Sequence, residues 1–358
     1  MKDRSLEQNI LLFDSRFMSV IFFICSIMVV GIHSYNATGL PVSDITSCIE
    51  GFFCHGLFIA AVPIFFYLSG YLFFRNMESA IDVFKKMRTR VKSVLMPFLA
   101  WSSFYFLFYF LVSSAFGIQL DAPIVLTPLN ILKYIVFYRY SFVLWYMFQL
   151  VIYILLAPII FLILKKRSVA LSTFIVVTLF SIFIKDSIGV EIFSNEIRPL
   201  FQFDFFCYYL AGCVSVKFTS EINKLKDYLL KNKKLSIVLT TILLIIFSFL
   251  DWLVCDGIIQ VFYARIFVPI VAILLFVLVG LIYQKIPYPK QVSTMIVYGI
   301  HSIMGRVTSA LLLHISPYVP VLVLFVITMA ICSVLSCLFA YILKRFFKPI
   351  YFVLSGGR

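Results

Sequence analysis

Charge is what this chain has least of: only 13% of its 358 residues are Asp, Glu, Lys or Arg, about half the share in an ordinary soluble domain. So few charges do not clothe a water-facing surface. With 63% hydrophobic residues and a mean hydropathy of +1.06, most of the surface must meet lipid. Glycine (14) and proline (13) are too few for a collagen-like or low-complexity chain. The eight cysteines follow neither a metal-ligand spacing nor a disulfide framework and read as small core residues, so no metal is expected. Acidic residues are also short, 16 against 30 basic, leaving a net charge of +14. In a soluble protein that excess would suggest nucleic acid. In a membrane protein it follows topology, and no nucleic-acid partner is expected.

Long apolar runs are abundant. A helical span needs about 20 mainly apolar residues, and such runs fall near 17–36, 52–75, 93–115, 142–164, 168–184, 199–216, 235–254, 258–283, 292–313 and 319–343. They are continuous rather than alternating, which excludes a transmembrane β-barrel. The expected fold is an all-α polytopic membrane bundle of about ten transmembrane helices, forming one integral-membrane domain over residues 1–358. The connecting loops leave no room for a soluble catalytic domain, so an active site would lie within the membrane or at its surface.

Basic residues near span ends resist translocation and accumulate on the cytoplasmic side. Placing the N-terminus inside puts 24 of the 30 Lys and Arg residues on that side, among them Lys2, Arg4, Arg16, Arg75, Lys165–Arg167, the six lysines from Lys217 to Lys234, Lys285, Lys290, Lys344, Arg345, Lys348 and Arg358. Lys133, Arg139, Lys185, Arg198, Arg265 and Arg306 remain for the outer side or outer half. Both termini are therefore expected in the cytoplasm. The first apolar run is long and lacks a small-residue cleavage site, so no cleavable signal peptide is expected.

Titratable groups at membrane depth are costly and usually face a cavity or a partner. His33 ends the first run in VVGIHS, His301 lies inside the ninth in VYGIHS, and Arg306 follows five residues later. Arg265 and Asp204 enter their runs from the outer side. A neutral imidazole suits a general base near pH 7, which makes His33 the candidate catalytic residue, although either histidine also fits a packed, hydrogen-bonded role. Arg265 and Arg306 fit headgroup snorkelling singly and an anion site together. Asp204 fits as an ionic partner for one of them.

Before the third run, FKKMRTRVKS gathers Lys85, Lys86, Arg88, Arg90 and Lys92. Topology alone accounts for several basic residues there. The i, i+3, i+7 spacing of Lys85, Arg88 and Lys92 adds a helical stripe suited to a cytoplasmic polyphosphate. In the second run, VPIFFYLSGYLFF carries Ser69 and Gly70, which permit close helix approach.

The order of these pieces resembles the acyltransferase 3 family of bacterial polytopic membrane acyltransferases. The resemblance rests on the His33-Ser34 ending of the first run, on VPIFFYLSGYLFF, on the basic cluster leading to Pro97 and Trp101, on LWYMFQL (144–150) followed by Pro158, and on YGIHS at Tyr298–Ser302. It is dense over about residues 17–160. Here the nearest arginine before His33 is Arg16, and Trp145 is followed by Tyr146, Met147, Phe148 and Gln149, where many members carry charge.

The resemblance implies an O-acetyltransferase of the bacterial cytoplasmic membrane. It would pass an acyl group, usually acetyl, from cytoplasmic acyl-CoA to a hydroxyl of an outward-facing or lipid-linked glycan. Acyl-CoA is then a co-substrate rather than a cofactor, held by Lys85, Arg88, Arg90 and Lys92, with His33 as base or transient acyl carrier. His301, Arg306, Arg265 and Trp145 form the candidate acceptor or anion site. A transporter or flippase for a polar or anionic solute, its path lined by His33, His301 and Arg306, is the alternative.

Overall fold

The structure, a computed structural model, describes residues 14–35, 45–117, 124–193, 196–255, 257–288, 293–312 and 318–357. Lys2, Arg4, Lys290 and Arg358, used above for orientation, lie outside the described residues, as do parts of the outer stretches 37–51 and 116–141.

In chain order, α1 (Ser15–Ile32) and α2 (Ile45–Gly51) lead through a π-helical turn, Phe52–Leu57, into α3 (Ala61–Phe74). Helix α4 (Ala80–Arg90) passes through a second π-helical turn, Val91–Leu95, into α5 (Met96–Phe116). Then come α6 (Pro128–Val136), α7 (Trp145–Leu155), α8 (Ala157–Ile163) and α9 (Arg167–Phe183). Strands β1 (Ser187–Phe193) and β2 (Glu196–Gln202) pair antiparallel, with Val190 opposite Arg198. Helices α10 (Phe203–Ser215), α11 (Thr219–Lys231), α12 (Lys233–Cys255), α13 (Ala264–Ile282), α14 (Thr294–Leu312), α15 (Val321–Phe346) and α16 (Lys348–Ser355) complete the chain.

Among the described residues seven helical stretches are long and apolar enough to cross a membrane, and the chain is a multi-pass membrane protein. The run at 142–164 is helical but bent by 58° between α7 and α8. Pro158 lacks the N–H that would bond back to Ile154, which explains the break. The runs at 168–184 and 199–216 fold as shorter helices of 17 and 13 residues. In the second, the chain stays extended in β2 as far as Gln202, leaving α10 about 20 Å long against a hydrocarbon core of about 30 Å.

The chain packs into two compact units, Met1–Phe65 with Val214–Lys290, and Phe66–Cys213 with Gln291–Arg358. In the first, the Asp14 side chain caps α1 by accepting from Phe17 N–H at 2.7 Å, and Tyr283 O–H donates to the same carboxylate. The Phe17 ring meets Phe276 edge-on at 5.1 Å, joining α1 to α13. The Phe52–Leu57 turn lies flush on α12: a Cβ on Gly56 would stand 2.1 Å from the Ser248 carbonyl oxygen. Only glycine permits that approach.

In the second unit a Cβ on Gly70 would meet the Tyr209 carbonyl oxygen at 2.1 Å, and one on Gly212 the Tyr67 oxygen at 1.9 Å. The close approach expected of Ser69-Gly70 is thus made between α3 and α10, while Ser69 Oγ and Tyr146 OH bond at 2.9 Å. Helices α5 and α14 are joined where Tyr105 O–H donates to Gly299 O at 2.8 Å, and α16 is tied to α5 by Trp101 Nε1–H to Leu354 O at 3.1 Å. Fully buried Gln149 holds the hairpin: Nε2 donates to Pro199 O at 2.9 Å and Oε1 accepts from Gln202 N–H at 3.1 Å. The polar side chain that follows Trp145 is therefore spent on β2.

Candidate functional site

His33 stands at the C-terminal end of α1, its backbone N–H bonded to Val29 O at 3.3 Å, and its side chain is exposed. The residues around it are anchored. Ser34 Oγ donates to Val30 O at 2.8 Å, and Cys54 Sγ to Gly31 O at 3.4 Å, which brings the Phe52–Leu57 turn to this end of the helix. That turn also carries His55, whose ring lies 4.8 Å from Tyr35. A π-helical turn takes one more residue per bond than an α-helix and frequently marks a functional site.

Two buried acids in the same unit escaped the sequence reading. Glu50 and Asp251 have no exposed surface. Gly51, next to Glu50, packs against Trp252, next to Asp251, with an added Cβ only 2.3 Å from the indole Nε1. Neither carboxylate oxygen of Asp251 has a hydrogen-bond partner among the described residues. The signal for both acids and for His55 was legible, because each is a polar group inside or beside an apolar run. Arg265 opens α13 in this unit and is half-buried.

The basic segment belongs to the second unit. Ser79 caps α4 in a capping box, with Asp82 N–H to Ser79 Oγ at 3.4 Å and Ser79 N–H to Asp82 Oδ2 at 3.0 Å, so the helix starts sharply before the cluster. Lys85 and Arg88 are exposed on α4, and Arg90 is half-buried. Lys92 is exposed but falls in the Val91–Leu95 turn, so the stripe does not continue as uniform α-helix to its third member. Lys86 is turned aside and donates to Arg75 O at 3.2 Å.

Further along this unit, the structure separates residues that the sequence grouped. His301 is buried, with Nδ1 2.5 Å from Tyr298 O. Arg306 is exposed and lies over the Tyr109 ring at 5.5 Å. Five residues on an α-helix turn about 140°, so the two do not share a face of α14. Trp145 opens α7 within an aromatic cluster, 4.7 Å from the Phe205 ring and 6.1 Å from Phe66. Asp204 accepts from Phe205 N–H at 2.9 Å in the first turn of α10, a favourable place for an anion.

Outside the spans, arginines and aromatic rings alternate. Arg139 lies over Phe193 at 4.6 Å and Arg198 over Tyr138 at 5.1 Å, joining the 137–141 turn to the hairpin. Burial pushes the Tyr138 hydroxyl up despite the opposing Arg198 charge. Burial and the neighbouring Tyr134 push Tyr140 up to about 12, so its phenol keeps its proton. Among the described residues no three His, Cys, Asp or Glu side chains gather as a metal site.

The chain is 40% identical over 55 residues to the succinoglycan biosynthesis protein ExoH of Rhizobium meliloti (strain 1021), a match that covers 15% of this chain and 15% of that protein. No solved structure matches. The family profile described as "Acyltransferase domain", Acyl_transf_3, matches residues 20–340. This multi-pass membrane chain therefore belongs to the acyltransferase 3 family.

Proposed function

We propose that the protein is an O-acyltransferase of a bacterial cytoplasmic membrane, moving an acetyl group from cytoplasmic acyl-CoA to a hydroxyl of an outward-facing or lipid-linked glycan. The observation that carries this reading is the exposed His33 side chain at the end of α1, within a chain of the acyltransferase family. With the termini inside, as the basic residues favour, His33 faces the outer half and the Lys85–Lys92 segment the cytoplasm. That is the arrangement needed by a polyphosphate donor available only inside and an acceptor outside. The glycan biosynthetic role named for the Rhizobium relative is consistent with such an acceptor.

His33 takes the proton of the acceptor hydroxyl as its oxygen attacks the thioester carbonyl carbon. The C–S bond breaks as the C–O ester bond forms. Coenzyme A departs as its thiol, carrying the proton returned by the imidazolium. Lys85, Arg88 and Lys92 hold the donor phosphates with charge-assisted hydrogen bonds. The test is labelled acetyl-CoA added to the purified protein with candidate glycans: label on the acceptor with release of CoA supports the reading. Label on His33 without an acceptor makes the histidine an acyl carrier, and solute movement without acyl transfer makes the protein a transporter.

A further inference from the structure

Arg306 has no acidic partner among the described residues of the helices that flank it. It is exposed on α14, and its guanidinium lies 5.5 Å from the centre of the Tyr109 ring. The elements around it, α5, α6, α7, α14, α15 and the 137–144 turn, carry no Asp or Glu. An arginine within an apolar helix is costly unless it meets water, a headgroup or an anion. The Tyr109 ring also meets Tyr140 at 6.2 Å and stacks with Tyr105 at 6.4 Å, and Tyr140 meets Tyr134 at 5.4 Å.

Two features mark the surroundings of this arginine. The Tyr140 hydroxyl oxygen is buried without a hydrogen-bond partner among the described residues. Beside Arg306, a Cβ added to Gly305 would meet nothing within 4 Å, so the helix surface there is open. Flat half-exposed rings, open space and a guanidinium with no acid on the described helices beside it are the elements of a site for a charged sugar. The rings take the apolar faces of the pyranose and the arginine takes its anion. The position also fits, since Tyr109 lies about 20 Å along α5 from the basic end of that helix.

We propose that Tyr109, Tyr140, Gly305 and Arg306 form the acceptor subsite and that its ligand is an anionic sugar, one bearing a carboxylate or phosphate. Calling the ligand an acceptor rests on the acyl-transfer reading. The binding itself does not.

The test is calorimetric titration of the full-length protein in phosphatidylcholine nanodiscs with p-nitrophenyl β-D-glucuronide and its neutral counterpart, p-nitrophenyl β-D-glucoside. The glucuronide should bind at least about tenfold more tightly, the order expected of one charge-assisted contact. Arg306→Gln should erase the difference and Arg306→Lys retain part of it. Gly305→Leu keeps the charge, favours the helix and fills the open space, and it should weaken both glycosides while leaving acyl-CoA affinity unchanged. Equal affinity of the wild-type protein for the two glycosides, or a preference that persists in Arg306→Gln, would overturn the proposal. A preference that vanishes in phosphatidylglycerol nanodiscs would also overturn it, assigning Arg306 to headgroup phosphate. Selective binding with no label transferred from acetyl-CoA would instead leave this site standing and remove the acyltransferase reading.

Discussion

The rings of Tyr35 and His55 lie 4.8 Å apart, so the π-helical turn Phe52–Leu57 reaches the end of α1 that bears His33. Gly51, the last residue of α2, and Gly56 in the turn pack against α12. The candidate base thus sits at the end of a helix braced by a second element.

Asp251, fully buried with neither oxygen hydrogen-bonded among the described residues, opposes stability. Replacing it should remove a desolvation cost of about 1–3 kcal/mol. Asp251→Leu, which puts an apolar group of similar shape there, is therefore expected to raise the melting temperature in detergent and to lower turnover, because an acid retained at that cost serves function. A lower melting temperature with unchanged turnover would make Asp251 a structural group.

Neutralising Lys85, Arg88 and Lys92 together as Gln should weaken acyl-CoA binding about tenfold or more at low salt. The loss should shrink at high salt, where screening already weakens the wild type. Equal affinity of variant and wild type at low salt would reduce the segment to a topology signal and move the donor site elsewhere.

The α3–α10 crossing allows no side chain. Gly70→Leu or Gly212→Val would drive a Cβ into a backbone oxygen now placed 2.1 or 1.9 Å from it, and each should cost about 3 kcal/mol or more. Thermal unfolding in detergent measures this. Near-wild-type stability of either variant would show that the crossing is looser than described.

Orientation follows from the basic residues and is checked by reporter fusions. Alkaline phosphatase fused in α11, near Lys224, should be inactive. An active fusion there would reverse the assignment of sides.

Membrane helices were legible in the sequence wherever an apolar run exceeded a bilayer's thickness, as in α1, α12, α13 and α15. The hairpin and the short α10 were not, because Leu200 and Phe201 read as the start of the apolar run at 199–216, and the extended state of β2 depends on Gln149 and Tyr153 donating to the Pro199 and Gln202 carbonyls. The π-helical turns were hidden for a similar reason: the Phe52–Leu57 turn is packed through Gly56 on a distant helix. At the candidate site, the position of His33 at a helix end was readable from the run length. His301 and Arg306, five residues apart, fall on different sides of α14, the first buried and the second exposed.

Acyl transfer that depends on His33 is tested most directly by turnover of labelled acetyl-CoA onto an acceptor glycan by wild-type protein and His33→Ala, at equal expression and equal melting temperature. A general base supplies about 10² to 10⁴ in rate, so the variant is predicted to fall at least a hundredfold. A properly folded His33→Ala protein retaining more than about a tenth of wild-type turnover would remove His33 from the role of general base.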